Sequence, residues 1–129
     1  MILPISLSAV AAAAIINVWL SIRIGELRHR MNVSIGTGGH EILERRMRAH
    51  LNFVENTPIV LILIAGIELA RSNNPWLLGV ATIYSIGRVL HGFGMDGGRM
   101  EFGRSAATII TLLTQIGLAI WAISIVADM

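Results

Sequence analysis

Apolar residues form four long stretches along the chain, and polar or glycine-rich breaks separate them. The stretches run over Ile2–Ile24, Leu51–Ala70, Pro75–Met95 and Ser105–Ala127. Each has close to the ~20 residues that a helix needs to cross the hydrocarbon core of a bilayer. The pattern therefore predicts an all-α, polytopic membrane protein with a bundle of four transmembrane helices.

The breaks between the stretches carry the residues that favour turns. Glycine dominates at Gly36–Gly39 and at Gly94–Gly98, and Ser72–Pro75 ends on a proline. No internal repeat is evident, and the first stretch lacks the basic flank of a cleavable signal peptide. We expect residues 1–129 to form one domain. With their polar flanks, the predicted helices span about residues 2–28, 44–70, 75–95 and 104–127.

Three of the predicted helices carry a stripe of polar side chains along one face. Arg48, Asn52 and Glu55 stand at i, i+4 and i+7, so they share a face of the second helix. The third and fourth helices show the same spacing. Their stripes consist of Tyr84, Arg88, His91 and Met95, and of Arg104, Thr108, Thr111 and Gln115.

Two interpretations of these stripes are open. A charge at the middle of a bilayer costs at least about 2.5 kcal/mol, so retained charges usually face a partner, a ligand or the bundle interior. In the structural interpretation, Glu55 neutralises Arg48 or Arg88 and the ion pair holds the bundle together. In the second interpretation the same residues bind a ligand. The arginines outnumber the nearby carboxylates, which points to an anionic ligand.

Composition agrees with a membrane protein. Hydrophobic residues make up 54% of the chain, charged residues 14%, and the mean hydropathy is +0.70, which is too apolar for an ordinary soluble domain. All 10 basic residues are arginine, which suits bidentate binding of carboxylates. The net charge is only +2, and the arginines border apolar segments, so we expect no nucleic-acid partner. Cysteine is absent, so any thiol chemistry needs an external thiol.

The distribution of arginine predicts an orientation in the membrane. The second connection holds only Arg71, whereas the first and third connections with their flanks hold the others. The positive-inside rule places the arginine-rich connections in the cytoplasm and both termini outside. The polar ends of the helices then lie on one side of the membrane, so several helices can build a common site there. The arginine-rich flanks contain Arg23, Arg28, Arg30, Arg45, Arg46, Arg48, Arg88, Arg99 and Arg104.

The remaining polar residues receive structural predictions. The four histidines show none of the common metal-ligand spacings, so no metal site is expected. His50 lies off the stripe of the second helix and is predicted to be a hydrogen-bonded structural histidine, whereas His91 lies on its stripe. Glu68 and Arg71, three residues apart, are predicted to form a surface pair near the outer end of the second helix.

The segment Arg48–Asn56, which precedes a proline and an apolar run, resembles the signature of the MAPEG superfamily, the membrane-associated proteins of eicosanoid and glutathione metabolism. Its form is similar to that of the microsomal glutathione transferases. Gly25–Arg28 at the end of the first helix, Arg88–His91 in the third and Arg104–Ser105 at the start of the fourth also match. The short loops look like those of small bacterial inner-membrane members.

This resemblance implies a homotrimer with glutathione bound between neighbouring subunits on the cytoplasmic side. An apolar electrophile or lipid hydroperoxide would enter from the bilayer. Arg104 matches the arginine that stabilises the glutathione thiolate in the family, and Ser105 beside it would donate a hydrogen bond to sulfur. By position, the residues implied for glutathione binding or its supporting network are Arg28, Arg48, Asn52, Glu55, Arg88 and His91.

Two departures from the family pattern keep alternatives open. Thr108 stands where several catalytic members have tyrosine, and Met95 replaces an aromatic residue after the histidine. One alternative is therefore a non-catalytic member that binds glutathione or a lipid, or that has a structural role. Another is a small multidrug exporter. Exporters of that kind need a carboxylate in the first helix, and Ile2–Ile24 contains none.

Overall fold

The computed structural model describes residues 2–72 and 74–129, and four α-helices account for most of them. The predicted all-α, four-helix class is confirmed. The predicted turn at 72–75 includes Asn73, which lies outside the described residues, as does Met1 of the predicted domain. The elements are α1 (Pro4–Met31), α2 (Glu41–Ala70), α3 (Pro75–Gly94), a 3₁₀-helix (Gly98–Met100) and α4 (Glu101–Ala127).

Three helix ends continue beyond the predicted bounds into polar sequence. α1 runs to Met31 rather than 28, α2 begins at Glu41 rather than 44, and α4 begins at Glu101 rather than 104. Their charges match the helix dipole, which favours cations at the last turn and carboxylates at the first. Basic residues occupy the last turn of α1, and acidic residues occupy the first turns of α2 and α4. These residues are Arg28, His29 and Arg30, Glu41 and Glu44, and Glu101.

Three described segments are long and apolar enough to cross a membrane: Pro4–Met31, Glu41–Ala70 and Gly98–Ala127. α3 has 20 residues and is not among them. It carries Arg88 and His91, and both side chains are buried against the other helices. The polar groups of α3 thus face the bundle interior, where burial of a charge is most tolerable in a membrane protein.

Successive helices run antiparallel, and the two ends of the bundle contain different contacts. At the connection end, which holds residues 32–40 and 95–100, Arg23 of α1 contacts Asp96 after α3. At the opposite, terminal end, Glu68 of α2 contacts Ile5 of α1. The larger apolar core fills the terminal half, and a smaller cluster of Ile16, Leu20 and Phe53 lies toward the connection end. Core residues of the larger cluster include Ile5, Ala9, Val60, Ile64, Ile67, Leu77, Ala81, Tyr84, Leu118 and Ile125.

The backbones of α3 and α4 approach each other closely at the connection end. A Cβ added to Gly94 would collide with the backbone nitrogen of Arg104 and lie 2.8 Å from the carbonyl carbon of Gly103. A Cβ on Gly103 would lie 2.8 Å from the carbonyl oxygen of Leu90. Only glycine fits at either position, so the end of α3 fixes where α4 begins.

Glu68 is not part of a surface pair, and that prediction is wrong. Its side chain is only 2% exposed, and its carboxylate accepts hydrogen bonds from the backbone nitrogens of Ile5 (2.9 Å) and Ser6 (2.7 Å) and from the Ser6 hydroxyl. The first N–H groups of a helix lack partners within the helix, and a carboxylate there also complements the dipole. Glu68 of α2 therefore caps α1, while Arg71 lies 3.8 Å from Asp128.

Candidate functional site

A polar cleft opens between α2, α3 and α4 at the connection end. Its volume is about 590 Å³, within the ~300–1,000 Å³ typical of small-molecule sites. It brings together all but two of the predicted site residues, with Arg28 and Arg88 outside the lining. The lining consists of Arg48, Leu51, Asn52, Glu55, His91, Met95, Arg104, Ser105, Thr108 and Ile109.

The α2 wall carries two charged groups of the cleft, Arg48 and Glu55. Arg48, Asn52 and Glu55 face it together, as their helical spacing predicts, with Arg48 and Glu55 exposed. Among residues 2–72 and 74–129, neither Arg48 nor Glu55 takes part in an ion pair. The structural interpretation, in which Glu55 neutralises Arg48 or Arg88, is therefore not what this part of the chain shows.

Arg88 of α3 lies behind the cleft and positions the lining residue Asn52. Its side chain is 2% exposed and donates hydrogen bonds to Asn52 Oδ1 (2.8 Å) and Thr111 Oγ1 (3.0 Å). Because a guanidinium only donates, the amide oxygen of Asn52 must face Arg88. The amide nitrogen of Asn52 is left as a donor at the cleft.

The α4 wall adds a second cation and two hydroxyls. Arg104 is about half exposed, and its guanidinium lies 3.9 Å from Glu101, a contact too long and too exposed to hold it firmly. Ser105 lies next to it in the lining. Thr108 donates its hydroxyl to the carbonyl oxygen of Arg104 (2.8 Å), so this hydroxyl proton is committed to the helix backbone.

The polar stripes of α3 and α4 are divided between the cleft and the bundle interior, whereas the α2 stripe lies wholly in the cleft lining. Toward the terminal end, the Tyr84 hydroxyl contacts Thr57 Oγ1 (3.0 Å), and Gln115 donates to Asn56 Oδ1 (2.8 Å). These pairs satisfy polar groups inside the bundle and link α2 to α3 and α4. The halves of the stripes near the connection end are the ones that line the cleft.

Arg28 and His50 lie apart from the cleft. Arg28 donates to the carbonyl oxygen of Gly36 (2.9 Å) and lies close to the sulfur of Met47 (3.4 Å), so within one chain it braces the α1–α2 connection. His50 Nε2 is 2.7 Å from Asn17 Oδ1, in agreement with its predicted hydrogen-bonded structural role.

Two buried polar atoms beside the cleft have no hydrogen-bond partner in the described part of the chain. They are Arg88 Nε and His91 Nδ1. Orphaned buried polar atoms are rare and usually indicate a water, an ion or a functional role. Among the described residues, no three histidine, aspartate or glutamate side chains come together as possible metal ligands.

An ion cluster at the connection end is not among the features predicted from the sequence. Asp96 accepts hydrogen bonds from Arg23 of α1 and from Arg46 of α2, whose Nε and Nη2 lie 3.1 and 3.2 Å from its two oxygens. The available signal was Arg23, a charged residue near the end of the apolar stretch Ile2–Ile24. Its partner Asp96 lies 73 positions further along the chain, so helical spacing could not identify it.

Known proteins provide an independent comparison. The sequence matches the MAPEG family over residues 6–124. It is also 28% identical over 112 residues to the inner membrane protein YecN of Escherichia coli strain K12, covering 84% of this chain and 85% of YecN. YecN of E. coli O6:H1 strain CFT073 gives the same values. With the family matched across nearly all of the four-helix bundle, the chain belongs to the MAPEG family.

Proposed function

We propose that this protein is a glutathione-dependent enzyme of the inner membrane, which transfers glutathione to apolar electrophiles or reduces lipid hydroperoxides with it. The observation that carries the proposal is the cleft, which gathers polar residues from three helices. Membership of the MAPEG family and similarity to an inner membrane protein support a location in the inner membrane. The residues that would serve glutathione there are Arg48, Asn52, Glu55, His91, Arg104 and Ser105.

The charges that line the cleft complement glutathione. Arg48 supplies a cation for a glutathione carboxylate and Glu55 a carboxylate for the glutathione ammonium, while the second cation of the cleft, Arg104, is left for the thiolate. Arginine forks bind carboxylates through paired, charge-assisted hydrogen bonds, and Glu55 is free of ion pairs in the described chain. The Asn52 amide nitrogen adds a neutral donor for a peptide carbonyl or carboxylate.

Arg104 and Ser105 would activate the thiol. A free thiol has a pKa of ~8.5, and a nearby cation lowers the pKa and raises the fraction present as nucleophilic thiolate. In the transfer reaction, the thiolate sulfur bonds to the electrophilic carbon as that carbon's leaving group departs with its bonding electron pair, or, in an addition, as a π bond breaks and the neighbouring atom takes up a proton. In the reduction, the thiolate attacks a peroxide oxygen, and a second glutathione completes the disulfide while the hydroperoxide becomes an alcohol and water.

The second substrate would reach the thiolate from the lipid side. Leu51, Met95 and Ile109 give the cleft an apolar part, and Ile109 belongs to a row of exposed aliphatic residues on α4. Such a surface is compatible with acyl chains. It favours an apolar electrophile or a lipid hydroperoxide over a polar one.

We further propose that α3 also spans the membrane, that the chain forms a homotrimer, and that the cleft faces the cytoplasm with both termini outside. The resemblance and the arginine distribution support these points. Arg48 and Glu55 are exposed on α2 beside the exposed apolar side chains of Leu51 and Val54. A neighbouring subunit would cover them, and Arg28 would then belong to the adjoining site.

A non-catalytic member of the family is the second candidate. Thr108, which stands in place of tyrosine, has its hydroxyl proton bonded to the Arg104 carbonyl and is not available to donate to sulfur. In that case glutathione or a lipid would bind without turnover. Binding without reaction toward any apolar electrophile or hydroperoxide would favour this candidate.

Calorimetric titration of glutathione and of S-hexylglutathione into the detergent-purified protein tests the proposal. We expect saturable binding that Arg48→Ala weakens by at least about tenfold, the effect of losing a hydrogen bond between charged groups. Arg30→Ala, which removes an exposed arginine outside the cleft, is the matched control and should bind normally. A folded protein that binds neither ligand would contradict the proposal.

A further inference from the structure

The ion cluster of Arg23, Arg46 and Asp96 joins three helices at a point that is not part of the cleft. Arg23 comes from α1, Arg46 from α2, and Asp96 from the connection that follows α3. Arg46 binds both oxygens of Asp96 and also donates to the carbonyl oxygen of Arg23 (3.0 Å). None of the three residues lines the cleft.

The Arg23 side chain has both polar and aromatic contacts. Besides Asp96 it donates to the carbonyl oxygen of Gly92 (2.7 Å), and its guanidinium lies 4.8 Å from the ring centroid of Trp19 and 5.3 Å from that of Phe93. Its side chain is almost fully buried. Two partly or fully buried cations share one carboxylate here. Such an arrangement is weak evidence for added stability, and a role in fixing geometry is the better hypothesis.

The cluster contacts the end of α3, which forms one wall of the cleft. Arg23 binds Gly92 and Asp96, and the residues just before each of these, His91 and Met95, line the cleft. Rotation or sliding of the segment between the two contacts relative to α1 would break these hydrogen bonds. On the other side, Arg46 stands two residues before Arg48 on α2.

The same segment positions the start of α4. Gly94 lies between the two anchored residues, and its backbone is in such close contact with Gly103 and Arg104 that no Cβ would fit. A displacement of residues 92–96 must therefore displace Arg104 and Ser105. The cluster thus ties the α2, α3 and α4 walls of the cleft to one carboxylate.

We propose that Asp96, with Arg23 and Arg46, is a positioning residue that sets Arg104 and Ser105 relative to the α2 wall of the cleft. Its role in catalysis rests on the proposed glutathione function, but its role in geometry does not. Asp96→Asn keeps the size of the side chain and removes the charge that both arginines share.

Spin-label distances test the geometry without any ligand. The chain contains no cysteine, so the changes Val54→Cys on α2 and Phe102→Cys on α4 give two unique labelling sites, both exposed and outside the cleft lining. Labelled chain is diluted with unlabelled chain so that only distances within one chain are measured. We expect Asp96→Asn to shift or broaden the distance distribution, whereas Asp96→Glu keeps it closer to the parent.

Asp128→Asn is the matched control. Asp128 also lies near an arginine, Arg71, but at the terminal end and exposed, so its removal should leave the distribution unchanged. Should Asp96→Asn fail to fold, Arg46→Gln removes one arm of the cluster and leaves Arg23 with Asp96. A distribution that stays identical to the parent in the folded variant overturns the proposal.

A second readout separates positioning from glutathione binding. In Asp96→Asn, S-hexylglutathione should bind within about threefold of the parent, because the α2 wall keeps Arg48 and Glu55. The reaction rate of bound glutathione should fall by as much as ~10²-fold, the effect of a misplacement of about 1 Å. If the parent binds no glutathione, the proposed function fails, and the spin-label comparison alone decides the positioning role. An unchanged rate in the folded variant contradicts it.

Discussion

Glu55 and Glu68 lie on the same helix but have opposite surroundings. Glu55 faces the cleft, exposed and without an ion pair in the described chain, whereas Glu68 is buried and accepts three hydrogen bonds from the start of α1. One carboxylate is available to a ligand, and the other is used by the fold. The two therefore serve as controls for each other.

Glu55→Gln should weaken glutathione binding without unfolding the protein. The change removes the charge that would bind the ligand ammonium, a contact worth about 1.5–3 kcal/mol, or about ten- to a hundredfold in affinity. Calorimetry measures this loss. A glutathione derivative with an acetylated amino group should bind parent and variant alike. Equal affinity of both proteins for glutathione itself would remove Glu55 from the binding site.

Glu68→Gln should lower the stability of the protein without weakening glutathione binding. It removes a charged cap from the first turn of α1, which we expect to cost on the order of 1–2 kcal/mol of stability. Thermal unfolding in detergent measures the change, and Glu44→Gln, which alters an exposed carboxylate on the same helix, should alter the melting temperature less. Glutathione affinity of the folded Glu68→Gln protein should equal that of the parent. An unchanged melting temperature would contradict the capping role.

At the scale of elements, the pairing of α3 with α4 determines the shape of the cleft. Gly94 and Gly103 allow the two backbones to touch, and this contact brings Arg104 next to the end of α3. The sequence predicts Gly94 as a turn residue and gives no signal for Gly103. The role of both glycines in this contact depends on which backbone lies opposite, which helical spacing does not reveal.

Gly94→Ala should separate α3 from α4 and damage the cleft. The new Cβ would collide with the backbone of Gly103 and Arg104, which cannot move aside as a flexible side chain can. We expect a lower melting temperature and a lower rate of thiol transfer. Gly79→Ala, in the same helix with nothing within 4 Å of the added Cβ, should be neutral or slightly stabilising. If Gly94→Ala behaved like this control, the close approach would not matter.

At the scale of the whole molecule, the open side of the cleft is the surface on which we propose that a neighbouring subunit packs. Charged residues of α2 and α4 are exposed there beside apolar surfaces suited to lipid. We expect a trimer in mild detergent, measured by native mass spectrometry, with glutathione stabilising it against dissociation. A monomer that binds glutathione with full affinity would contradict a site between subunits.

Much of this arrangement is predictable from periodicity. The four helices and the shared face of Arg48, Asn52 and Glu55 follow from the spacing of polar and apolar residues. What the sequence does not reveal are pairings between distant residues, such as Glu68 with the α1 terminus and Asp96 with Arg23. Each joins residues more than 60 positions apart, and their partners depend on how the helices pack.

An ultraviolet titration of glutathione bound to the purified protein tests the central claim most directly, because thiolate absorbs where thiol does not. We predict a bound thiol whose pKa lies below the ~8.5 of a free thiol. In Arg104→Ala the pKa should return toward that value, while affinity stays within about tenfold. No saturable thiolate signal in the folded parent, or the same titration curve in Arg104→Ala, would contradict the account.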